Sequence, residues 1–335
     1  MRLIEPLSLS FGAEAAVLRA AGVALPLGDG GAFGAARLIG VDGHSRIVPA
    51  ADLPGDWRVE ADRLAWARPW AGLAAAPCVM GILNVTPDSF SDGGLDRTSG
   101  ESVARGLRMI EAGAAIIDIG GESTRPGAGE VSVGAELDRI LPVIEGLRGR
   151  GAKISVDTRH AAVMRAAFAA GVDIINDVTA LTHDPEAAGV VAAAGAPVVL
   201  MHMRGDPGSM DRHAVYQDVA VEVTRELAAR IALAEAAGIA REAIAVDPGV
   251  GFAKNADQSA ALLRRLALLA NLGCPILLGA SRKRFVGHFS GAAQPSDRLG
   301  GSVAAALAGV ARGARILRVH DVAETVQALR MWRVC

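Results

Sequence analysis

The sequence predicts a (β/α)₈ barrel of the TIM type with a small N-terminal appendage. Three observations carry that expectation. From residue 78 onward, eight short runs rich in Val, Ile and Leu alternate with longer helical stretches, the pattern of βαβ units and a parallel sheet. These units fill roughly 255 residues, which suits a closed barrel in number and in length. Hydrophobic residues make up 51% of the 335-residue chain and aromatics only 4%, so the apolar mass is aliphatic, as expected for parallel strands under Ala-rich helices. A doubly wound open sheet is the alternative, but no Gly-rich dinucleotide fingerprint follows the first strand.

Residues 1–76 break the rhythm. The stretch LPLGDGGAFGAARLIGVDGHSRIVPAADLPGDW is rich in Gly, Pro and Asp, and FGAARLIGV and SRIVPA form a candidate hairpin across VDGH. The expected division is therefore an N-terminal extension with some β-structure over 1–76 and the barrel over 77–335. In the barrel the strand runs are VMGILNV from Val79, AIIDIG from Ala115, KISVD from Lys153, DIINDV from Asp173, PVVLMH from Pro197, AIAVDPG from Ala243, PILLGAS from Pro275 and RILRVH from Arg315. Between them lie helical stretches such as ESVARGLRMIEAG, AELDRILPVIEGLRG, AAVMRAAFAAG and YQDVAVEVTRELAARIALAEAAG, several ending on the Gly that a left-handed helix cap requires.

Composition narrows the function classes. A net charge of −2 argues against a basic nucleic-acid surface. Cys78, Cys274 and Cys335 lie too far apart for a disulfide framework or zinc-ligand spacing, and are read as reduced thiols in a cytoplasmic protein. The N-terminus interrupts its apolar residues with Glu5, Pro6 and Glu14, unlike a signal peptide, and the most apolar later window carries two adjacent arginines and a proline, unlike a membrane span.

Active sites of such barrels are built at the C-terminal ends of the strands. Here those ends supply Asn84, Gly121-Glu122-Ser123-Thr124-Arg125-Pro126, Asp157, Asn176 with Asp177, Met201 with His202, Asp247, Ser281-Arg282-Lys283, and Arg318 with His320. A lone Asp after a strand is often only a helix N-cap, an even chance for Asp157. Eight of eight strand ends converging on one mouth are better explained by one ligand. Asp157, Asn176 and Asp247 suit a flat heterocycle with ring N–H and amino groups, and a nearby Arg or Lys suits its carbonyl. Arg125, Arg318 and His320 suit an anion, with Asn84 as a neutral oxygen ligand for Mg²⁺ accompanying a pyrophosphate.

The segments MGILNVTPDSFSDGG, IIDIGGESTRPGA, ISVDTR, IINDV, LMHMRG, DPGVGFAK, GASRKRFVG and RVHDV, in this order and spacing, resemble the dihydropteroate synthase family over nearly all of residues 78–332. The resemblance implies condensation of p-aminobenzoate with 6-hydroxymethyl-7,8-dihydropterin pyrophosphate, releasing pyrophosphate. It implies pterin contacts from Asp157, Asn176, Met201, Asp247, Gly279 and Lys283. It implies a p-aminobenzoate site walled by Phe90, Thr124, Arg125, Pro126, Phe252 and Ser281, and a pyrophosphate site of Asn84, Arg125, Arg318 and His320. Mg²⁺ is the implied cofactor on Asn84, with Asp92 reaching it through water or only capping a turn. Asp157, Asp247, Lys283, Arg318 and His320 are the implied catalytic set.

The residues agree with that chemistry. An arylamine is neutral at pH 7 and needs no strong base, which suits a chain without a Ser-His-Asp arrangement. Phe252 stands equally as wall or core, and Met201 could be barrel filling. TPDSFSDGG is expected to act as a lid bent at Gly93 and Gly94. The alternative is a pterin-binding methyltransferase module using a methyl-folate. SRKRF, RVHD and ESTRPGA discriminate against it, as does the lack of a corrinoid partner domain. A non-catalytic paralogue would show degenerate rims, which are intact here. The Ala-rich SVAAALAGVARGA and the family's habit imply a homodimer, and sulfonamides, as p-aminobenzoate mimics, are expected ligands.

Overall fold

The computed structural model describes residues 1–28, 30–65, 68–74, 76–85, 99–122, 131–206 and 208–334. The chain opens with β1 (Leu3–Phe11), α1 (Gly12–Ala20), β2 (Leu25–Leu27), β3 (Gly31–Ile39), β4 (Ser45–Pro49) and α2 (Arg58–Leu64). FGAARLIGV and SRIVPA pair antiparallel as β3 and β4, with Ile39 opposite Ser45. β3 also carries β1, from Leu3↔Ile39 to Phe11↔Gly31, and the short β2. One face of this four-stranded sheet gathers Ile4, Leu27, Phe33, Leu38, Trp57 and Leu64 into a small core of its own.

The barrel follows as β5 (Cys78–Asn84), α3 (Ser99–Glu111), β6 (Ile116–Gly120), α4 (Val133–Leu147), β7 (Lys153–Asp157), α5 (Ala161–Ala169), β8 (Ile174–Asp177), α6 (Ala187–Ala194) and β9 (Val198–Met201). It continues through α7 (Val219–Ala236), β10 (Ile244–Asp247), α8 (Ala256–Arg264), β11 (Ile276–Leu278), α9 (Arg284–Ser290), α10 (Leu299–Val310), β12 (Ala314–Val319) and α11 (Val322–Trp332). β5 to β12 are parallel and close on one another, β12 pairing with β5 through Ile316↔Cys78 to Val319↔Gly81. Helix ends follow local chemistry: Asp218 accepts from Ala220 and Val221 N–H at the start of α7, and Asn255 and Gln258 form a reciprocal capping box on α8.

Side chains alternate across each strand, so the barrel strands have two faces with different duties. Val79, Leu83, Ile117, Ile119, Val156 and Ile175 face the helices in the large core. Met80, Ile116, Ile174, Val199, Ala245, Leu277 and Ile316 face inward as an apolar floor. Trp70 joins that floor, 3% exposed, and its indole N–H donates to the Ala243 carbonyl at 2.9 Å. The N-terminal sheet docks on the outside of the barrel. The buried Asn271, in the 3-10 helix Leu266–Leu272, accepts from Ile4 N–H at 2.9 Å and donates to Ile4 C=O at 2.7 Å, so one amide pairs with the free edge of β1. Glu5 lies between Arg37 and Arg265, and Arg265 also reaches Asp218.

Candidate active site at the barrel mouth

Two residues beyond the apolar floor, the inward face turns polar. Ile116 is followed by Asp118, Ile174 by Asn176, Val199 by Met201, Ala245 by Asp247, Leu277 by Gly279 and Ile316 by Arg318. Period-2 alternation alone therefore brings these positions to one level, and Asp157 and Asn84 close β7 and β5 beside them. The register agrees: Asn84 stands opposite Gly120, Gly120 opposite Asp157, Asp157 opposite Asn176, and Asp247 opposite Met201.

Arg318 is the hub. Its Nε donates to Asp118 Oδ2 at 2.6 Å and one terminal nitrogen donates to Asp157 Oδ2 at 2.7 Å. Asn176 Nδ2 donates to the same Asp118 oxygen at 3.0 Å, leaving Asp118 Oδ1 buried with no partner among the described residues. Asp157 is thus committed to the site and is not an N-cap. The first N–H of α5, at Ala161, is taken by Asp184 instead. Gly279 faces the space between these groups. A Cβ there would stand 3.6 Å from Asp247 Oδ2, 3.8 Å from Lys283 Nζ and 4.0 Å from Arg318 Cβ, so the missing side chain leaves room where three charged residues meet.

Lys283 closes one side. Its Nζ donates to Val250 C=O at 2.6 Å and lies 4.6 Å from the centre of the half-buried Phe252 ring. Ser281 and His320 join the loops after β11 and β12, Ser281 Oγ lying 3.1 Å from His320 Nδ1 and accepting from His320 N–H at 3.2 Å. Arg282, held at φ 58°, ion-pairs with Asp321. Its backbone N–H donates to Ser302 Oγ at 2.9 Å.

Burial sets the protonation states. It raises the Asp157 pKa despite the pull of Arg318, with Asp118 adding repulsion, and it raises Asp247 against Lys283 and the Gly249 N–H. Burial lowers Lys283 to about 8 although Asp247 pulls the other way. His320 is pushed down to about 3 by burial, then by Arg318 and Arg282, so it is a neutral imidazole at pH 7. For Arg318 burial works against the charge, yet Asp118 and Asp157 more than compensate and its pKa is raised.

A profile of the family described as pterin binding enzyme matches residues 80–320. The dihydropteroate synthase of Escherichia coli (strain K12) is 49% identical over 256 residues, covering 76% of this chain and 90% of that protein. The Xanthomonas albilineans dihydropteroate synthase, solved with 4-aminobenzoic acid, is 52% identical over 77% of this chain and 93% of that one, with a TM-score of 0.73. The Yersinia pestis dihydropteroate synthase, solved with a sulfonamide drug, is 46% identical over 78% and 94%, with a TM-score of 0.74. The chain belongs to the dihydropteroate synthase family.

As in any dihydropteroate synthase, it is therefore a transferase, and its charged barrel mouth is where that chemistry belongs. The structure brings Asn84, Asp157, Asn176, Met201, Asp247, Gly279, Ser281, Lys283, Arg318 and His320 to the strand ends of this mouth, and Phe252 to its wall beside Lys283. Phe90, Asp92, Thr124, Arg125 and Pro126, and the expected lid over 86–94, lie outside the described residues. Two residues were missed by the sequence reading. Asp118 sits in the middle of AIIDIG, where a reading confined to the last residue of each strand passes over it; counting inward positions from Ile116 would have found it. Lys254, in GFAK, reads as one more solvated charge but is 5% exposed.

Proposed function

We infer that this barrel mouth condenses p-aminobenzoate with 6-hydroxymethyl-7,8-dihydropterin pyrophosphate. The observation that supports it most is the ring of Asp118, Asp157, Asn176, Asp247 and Lys283 around the space left by Gly279, with Arg318 bonded into it. The acceptors Asp157, Asp247 and the Asn176 amide suit the N–H and amino groups of a pterin, and the Lys283 ammonium suits its ring carbonyl. The free oxygen of Asp118 offers a further acceptor. Phe252, whose ring lies beside Lys283, suits an aryl ring, and Ser281 a polar substituent on it. Phe90, Thr124, Arg125 and Pro126 complete that proposed wall.

In the reaction the arylamine nitrogen forms a bond to the exocyclic methylene carbon, and the methylene C–O bond breaks with its electron pair going to pyrophosphate. The arylamine proton leaves to water or to the departing anion. No strong base is required, so the demand falls on charge stabilisation. Asp157 and Asp247 would stabilise positive charge growing on the pterin, while His320 and Arg318 would stabilise negative charge growing on pyrophosphate. Arg318 touches Asp157, so it links the two halves of this charge separation.

Asn84 is the residue proposed to hold Mg²⁺. The donor set fits an ion carried mainly by its substrate: Asn84 offers one half-buried neutral oxygen at a strand end, no group of three His, Cys, Asp or Glu gathers as a metal site among the described residues, and Mg²⁺ takes few protein ligands beside phosphates. Bound there, the ion would neutralise charge on the pyrophosphate. Asp92 is a second proposed ligand.

We further propose a homodimer. The groove of about 320 Å³ between α8, α9 and α10, lined by Leu263, Phe285, Phe289, Ala305 and Ala308, leaves Phe289 exposed beside close-packing alanines. A cytoplasmic location is likewise proposed; no helix among the described residues is long and apolar enough to cross a membrane.

Mass spectrometry of a reaction with both substrates and Mg²⁺ tests the function: the account expects the pterin–arylamine adduct and equimolar pyrophosphate. Methyl transfer from a methyl-folate, without adduct, would sink it. Asp157→Asn should lower kcat by about 100-fold at saturating substrates. An unchanged kcat would remove Asp157 from the charge-stabilising role.

A further inference from the structure

Beneath the β10–α8 turn lies a buried lysine that the mechanism above does not use. Lys254 Nζ donates to the carbonyls of Phe252 at 2.9 Å and Gly249 at 3.1 Å, and to His202 Nδ1 at 2.9 Å. The Glu226 carboxylate only accepts, so the ring proton of His202 stands on Nε2, 2.9 Å from it, and Nδ1 accepts from Lys254. Burial and the Lys254 charge hold His202 neutral, with its pKa lowered to about 4. Glu226 is in turn held by Arg204, which stacks over the Tyr216 ring. A chain of contacts therefore runs from the outer wall of the barrel to the underside of the turn.

The turn itself has little freedom. Gly249 is at φ +65°, and a Cβ there would stand 2.0 Å from the His202 carbonyl oxygen. Ala253, between Phe252 and Lys254, is at φ 48°, a left-handed conformation that side chains disfavour. The consequence is that Lys254 folds back under the turn it follows. From the opposite side Lys283 holds the Val250 carbonyl at 2.6 Å. Two lysines thus hold three carbonyls within the four residues 249–252, Lys254 those of Gly249 and Phe252 and Lys283 that of Val250, and the Phe252 ring lies against Lys283.

We propose that Lys254, held by His202, is a positioning residue for the arylamine subsite, fixing Phe252 through its backbone carbonyl. The inference rests on the condensation reading above. It assigns no contact with either substrate to Lys254. Its effect passes through the backbone of Phe252, so loss of the grip should be felt by the aryl substrate more than by the pterin.

Steady-state kinetics with both substrates test this on four proteins: wild type, Lys254→Met, His202→Asn and His202→Leu. Met fills the lysine stem without donors. Asn can offer Oδ1 near the position of Nδ1 and so keep the Lys254 contact, whereas Leu cannot. Small displacements in a positioning shell cost large factors, so Lys254→Met and His202→Leu should raise the p-aminobenzoate KM by about tenfold or more, with the pterin pyrophosphate KM within about threefold and His202→Asn near wild type. Folded Lys254→Met with an unchanged p-aminobenzoate KM, or with both KM values raised equally, would overturn the proposal. Should Lys254→Met not fold, the two His202 variants decide alone: Asn and Leu indistinguishable in p-aminobenzoate KM would overturn it. A wild-type protein that makes no adduct overturns the condensation reading instead, a result the variants cannot mimic.

Discussion

At the scale of single residues, the barrel mouth is a set of carboxylates whose charge is made tolerable by one arginine. Arg318 answers Asp118 and Asp157 together, so each of the three depends on the other two. Burial brings the titration of Lys283 down to about 8, close to working pH. Its ammonium is present below about 8, so if that ammonium contacts the pterin, kcat/KM for the pterin pyrophosphate should fall as pH rises through about 8. Lys283→Arg, which keeps its charge, should abolish this alkaline limb even if its rate is lower, as a pH profile of both proteins would show. The same shift has the opposite sign for stability: between about 8 and the ordinary lysine value of 10.5 the unfolded chain binds the extra proton, so the contribution of Lys283 to stability rises with pH there. Gly279→Val should obstruct the centre of the site and raise the pterin pyrophosphate KM by at least about tenfold, since its branches enter the space between Asp247, Lys283 and Arg318. Most of these residues could be read from the sequence because they close apolar strands. Asp118 could not by that criterion, because it lies within the strand and joins the mouth only through the direction of its side chain. Lys254 was hidden for another reason: its partners, His202 and the carbonyls of Gly249 and Phe252, depend on two turns folding onto each other.

At the scale of elements, the eight barrel strands appear where aliphatic runs and intervening helical periodicity put them, with ends differing by at most three residues. That legibility has a simple cause: strands buried on both faces need continuous aliphatic runs, and few other structures do. The N-terminal elements were harder. β3 and β4 are joined by a turn whose Asp and Gly are visible in VDGH, whereas β1 contains Pro6 and Ser8 and pairs with a strand 20 residues or more away, which no local pattern reveals. Its free edge is satisfied by Asn271, a contact between residues 267 apart in sequence. Asn271→Leu should fill a similar volume but leave Ile4 N–H and C=O unpaired, lowering stability by about 1–3 kcal/mol in urea unfolding. A loss below about 0.5 kcal/mol would mean that water or a shifted strand replaces the amide.

At the scale of the whole molecule, the barrel has a dry end and a charged end. Trp70 seals the first, lying under Met80, Ile116, Ile174 and Leu277, so the polar layer above rests on an incompressible apolar floor. Trp70→Ala should cost about 3–5 kcal/mol in stability, and kcat should change far less than stability if the floor is only a support. The proposed homodimer predicts twice the chain mass in solution at micromolar concentration, and Phe289→Glu should shift the protein to monomer, as light scattering would record. The central claim is that the charged end separates pyrophosphate from a pterin only in company with an arylamine. It is tested most directly by following pyrophosphate release with pterin pyrophosphate, p-aminobenzoate and Mg²⁺ all present, and with each omitted in turn. The account predicts sustained release only with all three; equal release without p-aminobenzoate would contradict it.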